Sequence, residues 1–190
     1  MVNSEWISKL LRFDDAITKR LVLAESAKFG NALAKLLSLS CDSWYWLIGL
    51  LAICIFGREP WRERTMLIGV AIVLLAVLVL GIKKLVRRRR PDGEWGQIYR
   101  ALDPHSFPSG HAARALMIAL LGVYFELGWA VILLIVWALL VGWSRIALRL
   151  HYLIDVLAGW VIGAFVTAIA VLIFPRTLNL FNPLIGLITK

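Results

Sequence analysis

Lys83, Arg90, Arg145, His111, His151 and Asp155 sit at the edges of long apolar runs. Ionisable groups are costly near lipid and persist there when they pair or work. They fall in three clusters: Lys83-x6-Arg90-Pro91, Pro108-Ser109-Gly110-His111, and Ser144-Arg145-x5-His151-x3-Asp155. Together these supply three fixed cations, two imidazoles and a carboxylate. Such a set suits holding a phosphate and transferring it to a histidine.

In the first cluster, Lys83, Arg87 and Arg90 are spaced i, i+4, i+7 and share one face if the helix continues. Lys83 and Arg90 would then stand ~10 Å apart along the axis and converge on one phosphate. Pro91 ends the segment, because the residue before a proline disfavours helix. Lys84, Arg88 and Arg89 read as interface charge solvated by water and headgroups. In the second cluster, Ser109 can cap a helix or donate to a phosphate oxygen, and Gly110 lets the backbone approach a ligand. The free N–H groups of that helix start favour an anion, with His111 in the first turn. In the third, His151 and Asp155 are i, i+4, so the carboxylate can accept from one ring nitrogen and leave the other as a nucleophile. Arg145 needs a turn before His151 to come round to the same side. His105 reads as a solvated loop residue, and Arg114 as a side chain snorkelling to headgroups.

The elements that position these clusters are apolar stretches at 44–57, 66–82, 112–125, 128–143 and 153–174, which predict five membrane helices. The first is short and must recruit 41–43 and 58–61. Trp44, Trp46, Trp61, Trp129 and Trp143 mark interfacial ends. Residues 5–40 differ. Trp6, Ile7, Leu10, Leu11, Phe13, Ile17 and Leu21 recur at helical spacing between charges, and Leu21 to Ser40 carries Glu25, Lys28, Asn31 and Lys35. Both segments predict amphipathic helices lying in the interface, the alternative being a sixth span over 21–40. The expected fold is therefore all-α and integral to the membrane. A single domain covers 1–190, with 1–40 interfacial and 41–175 the transmembrane catalytic core.

Composition agrees. The 190 residues are 61% hydrophobic and 17% charged, outside the soluble range. The net charge of +9 lies mostly beside apolar runs, which favours anionic lipid and phosphate as partners over nucleic acid. Cys41 and Cys54 would be roughly 20 Å apart on one helix and are expected to be free. Charges throughout the first 20 residues argue against a secretory signal peptide. The arginines and lysines of 83–100 and 145–149 outnumber Arg58, Arg62, Arg64, Arg176 and Lys190 on the other side, so the positive-inside rule points the clusters at the cytoplasm.

In order and spacing, the clusters resemble the signature of the type 2 phosphatidic acid phosphatase superfamily, K-x6-R-P, P-S-G-H and S-R-x5-H-x3-D, filled without substitution over 83–155. The resemblance implies that His151 attacks phosphorus with Asp155 supporting it, and that His111 is the general acid. It makes Lys83, Arg90, Ser109, Gly110 and Arg145 the phosphate binders. No metal or other cofactor is implied, because fixed cations take that part. The family's membrane members usually open away from the cytoplasm. That side, the periplasmic face of a bacterial inner membrane, is adopted over the charge count, since cations recruited to a phosphate are poor topology markers.

The leading expectation is a lipid phosphatase acting on a lipid phosphate or diphosphate, with undecaprenyl diphosphate slightly favoured. Phosphatidylglycerophosphate, phosphatidate and the 1-phosphate of lipid A are alternative substrates. Other readings are a lipid phosphotransferase, a vanadium-dependent haloperoxidase (opposed by the apolar spans) and a non-catalytic lipid-binding protein. The partners are the lipid substrate and membrane lipids, and the pattern sets no oligomeric state.

Overall fold

A buried stripe along one helix aims the first cluster inward. In α4 (Trp61–Val86), Leu67, Ala71, Leu75, Val79 and Lys83 recur every fourth residue, and all are buried. Side chains four apart lie on one helical face. The stripe that packs the core therefore ends in an ammonium group. The structure, a computed structural model, describes residues 4–24, 26–93 and 95–188. Glu25 and Lys190, counted above, lie outside these.

The other elements are α1 (Ser4–Leu21), α2 (Lys28–Ser40), α3 (Ser43–Phe56), α5 (Gln97–Leu102), α6 (Gly110–Tyr124), α7 (Ala130–Ala147) and α8 (Leu153–Ile188). Among the described residues there are no strands, and an isolated bridge joins Arg89 to His105. α6 is the hub, packed between α4, α7 and α8. Ala112, Ala113, Ala115, Ala119 and Gly122 are buried on it, and such small residues let backbones approach closely. The approach is closest at Gly159 and Gly163 of α8, where an added Cβ would collide with the carbonyl oxygens of Ser109 and Ala113. Above this crossing, Leu67, Leu75, Met117, Leu121 and Val166 fill the main apolar core.

Among the described residues, three helices are long and apolar enough to cross a membrane: α4, α7 and the Leu153–Ile173 part of α8. α2 and α3, bent by 46° at a short break, make a fourth if taken as one broken span. α6, at 15 residues, is about 22 Å long, short of a hydrocarbon core of roughly 30 Å.

The structure adds to the N-terminal expectations in two ways. α1 is amphipathic, but it turns Asp14 and Thr18 into the protein while Trp6, Leu10 and Phe13 stay exposed. α2, at 13 residues, is too short to be the alternative, a separate sixth span over 21–40. It packs on α7 through Ala34 and Ser38 and hands the chain to α3 at Cys41 and Asp42, beside the site. Both follow from geometry: a helix can offer apolar residues to lipid and a polar stripe to the ends of its neighbours. Cys41 and Cys54 are free, as expected.

Candidate active site

The second cluster forms a helix start. Ser109 is the N-cap of α6, its hydroxyl accepting from the Ala112 N–H at 3.4 Å, while its own N–H donates to the Asp155 carbonyl at 2.9 Å. This bond ties the start of α6 to the first turn of α8. Gly110 and His111 follow at the edge of a cavity of about 270 Å³, which Lys83, Arg90, Arg145 and His151 also line. Four of the five expected phosphate binders and both histidines thus meet at one cavity. Ser109 is fully buried and acts there as the cap.

Lys83 and Arg90 do converge, though not on one helical face. α4 stops at Val86, where Arg87 enters the left-handed region at φ 50° and its N–H donates to the Lys83 carbonyl at 3.0 Å. That cap breaks the i, i+7 register. Arg87 is exposed, and Arg90 reaches the site from the following loop. There its Nη1 donates to the Leu150 carbonyl at 2.8 Å and its Nε to the Asp103 carbonyl at 2.8 Å. Lys83 Nζ donates to the His105 carbonyl at 2.6 Å. The Asp103 carboxylate bridges both cations at 2.9 Å. A carboxylate thus sits between the two cations, a place that suits an anion.

The turn required between Arg145 and His151 exists. α7 ends at Ala147, and Arg149 takes φ 55°. The Arg145 carbonyl then accepts the N–H groups of both Leu150 and His151, at 3.0 and 3.1 Å. The same residue therefore aims a guanidinium at the cavity and pins the backbone of His151. Its guanidinium lies 5.0 Å from the Tyr99 ring centroid and donates to Ser38 Oγ. Its Nε has no hydrogen-bond partner among the described residues. A buried, unpaired cationic donor is costly, and an incoming anion would satisfy it.

The His151 tautomer follows from its neighbour. Arg90 Nη1 lies 3.0 Å from His151 Nε2, and an arginine can only donate, so Nε2 must offer its lone pair. The ring proton is then on Nδ1, which faces Asp155 Oδ2 at 3.6 Å. That separation is too long for the hydrogen bond expected from i, i+4 spacing. His151 lies in the turn before α8, so the helical geometry assumed for the pair is not in force. Burial, with Arg90, Arg145 and Lys83 around it, holds the imidazole well below its ordinary value, which keeps it neutral.

Several site residues have no sequence signal in the clusters. Asp42, the N-cap of α3, meets His111 Nε2 at 2.8 Å and accepts the Tyr99 hydroxyl at 2.7 Å. Burial and that carboxylate push the Tyr99 phenol up to about 12, so it stays a donor. Arg114, expected to snorkel, instead donates to the Cys41 carbonyl at 2.6 Å and lines the cavity. Arg88, read as solvated, is paired with Asp14 and Asp155, each at 2.7 Å. Lys84 and Arg89 are exposed, in line with their reading. The side chain of Asp42 could have been suspected only from its place before an apolar run, a common helix-cap setting.

The sequence model of the PAP2 superfamily matches residues 64–178, more than half of the chain. The chain belongs to the PAP2 superfamily. Among relatives of this PAP2 protein, the undecaprenyl-diphosphatase BcrC of Bacillus subtilis is 33% identical over 148 residues, covering 74% of this chain and 72% of that one. An undecaprenyl-diphosphatase of Sulfolobus acidocaldarius is 31% identical over 117 residues, 57% of this chain and 56% of its own length. The chain thus spans little more than half of that second relative. Two solved structures share the fold. A transmembrane PAP2-type phosphatidylglycerolphosphate phosphatase from Bacillus subtilis has a TM-score of 0.72 at 24% identity, over 85% of this chain and 84% of that one. LpxE of Aquifex aeolicus has a TM-score of 0.65 at 24% identity, over 82% and 93%. With these relatives and its apolar helices, the PAP2 protein is an integral membrane protein.

Proposed function

We propose that this PAP2 protein is a lipid phosphatase that hydrolyses a polyprenyl diphosphate through a phosphohistidine at His151. The observation that carries the reading is the Nε2 lone pair of His151 facing Arg90 in a cavity that Lys83, Arg145 and His111 also line. Phosphate displaces the Asp103 carboxylate from Lys83 and Arg90, and Arg90 turns from Nε2 to a phosphoryl oxygen. Nε2 then attacks the terminal phosphorus as the bond to the leaving lipid phosphate breaks. His111 protonates the departing oxygen and next takes a proton from water, which cleaves the P–N bond and releases inorganic phosphate. The fixed cations stabilise the charge on the equatorial oxygens, the main requirement of phosphoryl transfer. Activity therefore survives a metal chelator in this mechanism.

Two points favour a polyprenyl diphosphate within this class. Both curated relatives named above carry the undecaprenyl-diphosphatase name, and BcrC is matched over most of its length. The cavity wall below Lys83 is apolar along α4, with Ile72, Leu75, Ala76, Val79 and Leu80. A prenyl chain leaving the cradle meets that wall at once. The two solved structures support the fold and carry no weight on substrate.

In the same reading, α3, α4, α6, α7 and α8 make five crossings, 1–190 is one domain, and the cavity opens to the periplasm. The test is phosphate release by purified protein across undecaprenyl diphosphate, phosphatidylglycerophosphate, phosphatidate and lipid A. The diphosphate is expected to be turned over fastest, and His151→Ala and His111→Ala to lose at least about a thousandfold. Full activity of His151→Ala would end the proposal, and transfer of label to a second lipid would reassign it as a phosphotransferase.

A further inference from the structure

Arg88 stands inside the basic run, two residues before the cradle cation Arg90. Its guanidinium is mostly buried and joins carboxylates from opposite ends of the chain. Nη1 donates to Asp155 Oδ1 and Nη2 to Asp14 Oδ2, both at 2.7 Å. Its flat face lies 4.0 Å from the Tyr152 ring centroid. Three contacts lock such a group in one pose, since an arginine fork matches carboxylates and stacks on rings.

The N-terminus of α8 is closed by the same assembly. A helix start leaves its first N–H groups without intrahelical partners. Here the Tyr152 N–H donates to Asp155 Oδ2 at 2.9 Å, the Leu153 N–H to Thr18 Oγ1 at 3.1 Å, and the Ile154 N–H to Asp14 Oδ1 at 3.0 Å. Two of these three caps come from α1, more than a hundred residues away in sequence. Asp14 is 1% exposed and Thr18 2%. The polar stripe that α1 turns inward is therefore spent on the helix that carries Asp155.

The division of labour between the two Asp155 oxygens follows. Oδ1 is committed to Arg88, which leaves Oδ2 facing both the Tyr152 N–H and His151 Nδ1. Without Arg88 the carboxylate would keep the Tyr152 N–H on Oδ2 but lose its charged partner on Oδ1, which loosens χ2, a soft torsion with a broad distribution. Asp14 would also be left buried without its cation.

Resting on the proposed role of His151, we propose that Arg88 and Asp14 are positioning residues for phosphoryl transfer. They hold Asp155 with Oδ2 toward His151 Nδ1 and, with Thr18, make the amphipathic helix α1 a working part of the active site. Neither touches the phosphate cradle, so the step they serve is attack and not substrate binding.

The experiment uses the full chain in detergent, with polyprenyl diphosphate in excess as substrate and enough enzyme for slow steady-state rates to remain measurable. Arg88→Gln is expected to lower kcat on the order of 10- to 100-fold, the range for a misplaced reacting group, with KM and orthovanadate affinity unchanged. In the Asp155→Asn background the same substitution should cost nothing further. Asp14→Asn should lose rate in the same sense, and the exposed control Arg89→Gln should keep the full rate. Thermal melts accompany each variant. Wild-type kcat in Arg88→Gln, a raised KM at unchanged kcat, or equal fractional losses in both backgrounds would overturn the proposal. Should Arg88→Gln fail to fold, Asp14→Asn and Thr18→Ala carry the test, and wild-type kcat in both overturns it. Activity surviving in His151→Ala would instead sink the reading on which the proposal rests.

Discussion

At the scale of single residues, the surroundings of His151 keep it uncharged, as the proposed attack on phosphorus requires. Burial and the nearby cations Arg90, Arg145 and Lys83 all disfavour the imidazolium. A lowered pKa means that protonation, and loss of the nucleophile, comes only when the pH falls well under the ordinary imidazole value of 6.5. The acid limb of kcat/KM due to this group is therefore expected well below pH 6.5, read from rates at constant ionic strength. A limb at or above that value that His151 controls would contradict it. Asp103 acts in the opposite sense. Its carboxylate sits on Lys83 and Arg90, yet both cations are also held by carbonyl oxygens of His105, Leu150 and Asp103 itself. Asp103→Asn should leave the cradle in place and remove a competitor, tightening orthovanadate inhibition about tenfold, or ~1.4 kcal/mol. Weaker inhibition would show that the carboxylate builds the cradle. The signature residues were legible because their types and intervals are specific. Asp42, Asp103 and Arg88 were not, because each acquires its role from a partner distant in the chain: His111, Lys83 and Asp155 respectively.

At the scale of elements, the site depends on how closely α8 approaches α6. Gly159 and Gly163 are four apart on α8 and face Ser109 and Ala113, the first turn of the helix that presents His111. This small-x3-small spacing lies in the sequence at 159–163, but its meaning depends on which helix packs there. Gly163→Ala places a methyl group against a backbone carbonyl that cannot rotate away. The expected cost is about 1–3 kcal/mol of stability, as for overpacking, measured as a lower melting temperature in detergent. Gly159→Ala pushes directly on Ser109 and should lower kcat as well. An unchanged melt for Gly163→Ala would mean that the two helices can slide apart. Apolar runs made α3, α4, α6, α7 and α8 readable in advance. The arrangement of α1 and α2 was not, because their hydrophobic periodicity marks the lipid-facing side and is silent on the polar face that meets the protein. In α1 that polar face carries Asp14 and Thr18, and in α2 the site-facing residue is Ser38.

At the scale of the whole molecule, the charge pattern has two sources that sequence counting merges. Arg90 and Arg145 are buried in the cavity wall, Lys83 is buried beside them, and Arg88 is held by two carboxylates. Arg100 donates to the carbonyls of Pro91 and Arg149 at 2.7 and 2.9 Å, tying the loop to the α7–α8 turn. These cations are committed to protein partners and, in the proposed function, to substrate, and they should not be counted as free charges that resist translocation. Removing them leaves Lys84, Arg87, Arg89 and Arg149 on the site's side, against Arg58, Arg62, Arg64, Arg176 and Lys190 counted on the opposite one. The excess that pointed the site at the cytoplasm vanishes, and the proposed periplasmic opening no longer conflicts with it. Asp92 offers the test, since its side chain is 99% exposed two residues after Arg90, which lines the cavity. With Cys41 and Cys54 replaced by alanine, Asp92→Cys should react with a membrane-impermeant maleimide added outside spheroplasts. Labelling only after the membrane is opened would put the cavity on the cytoplasmic face, and the lipid would then have to be dephosphorylated from the inner leaflet.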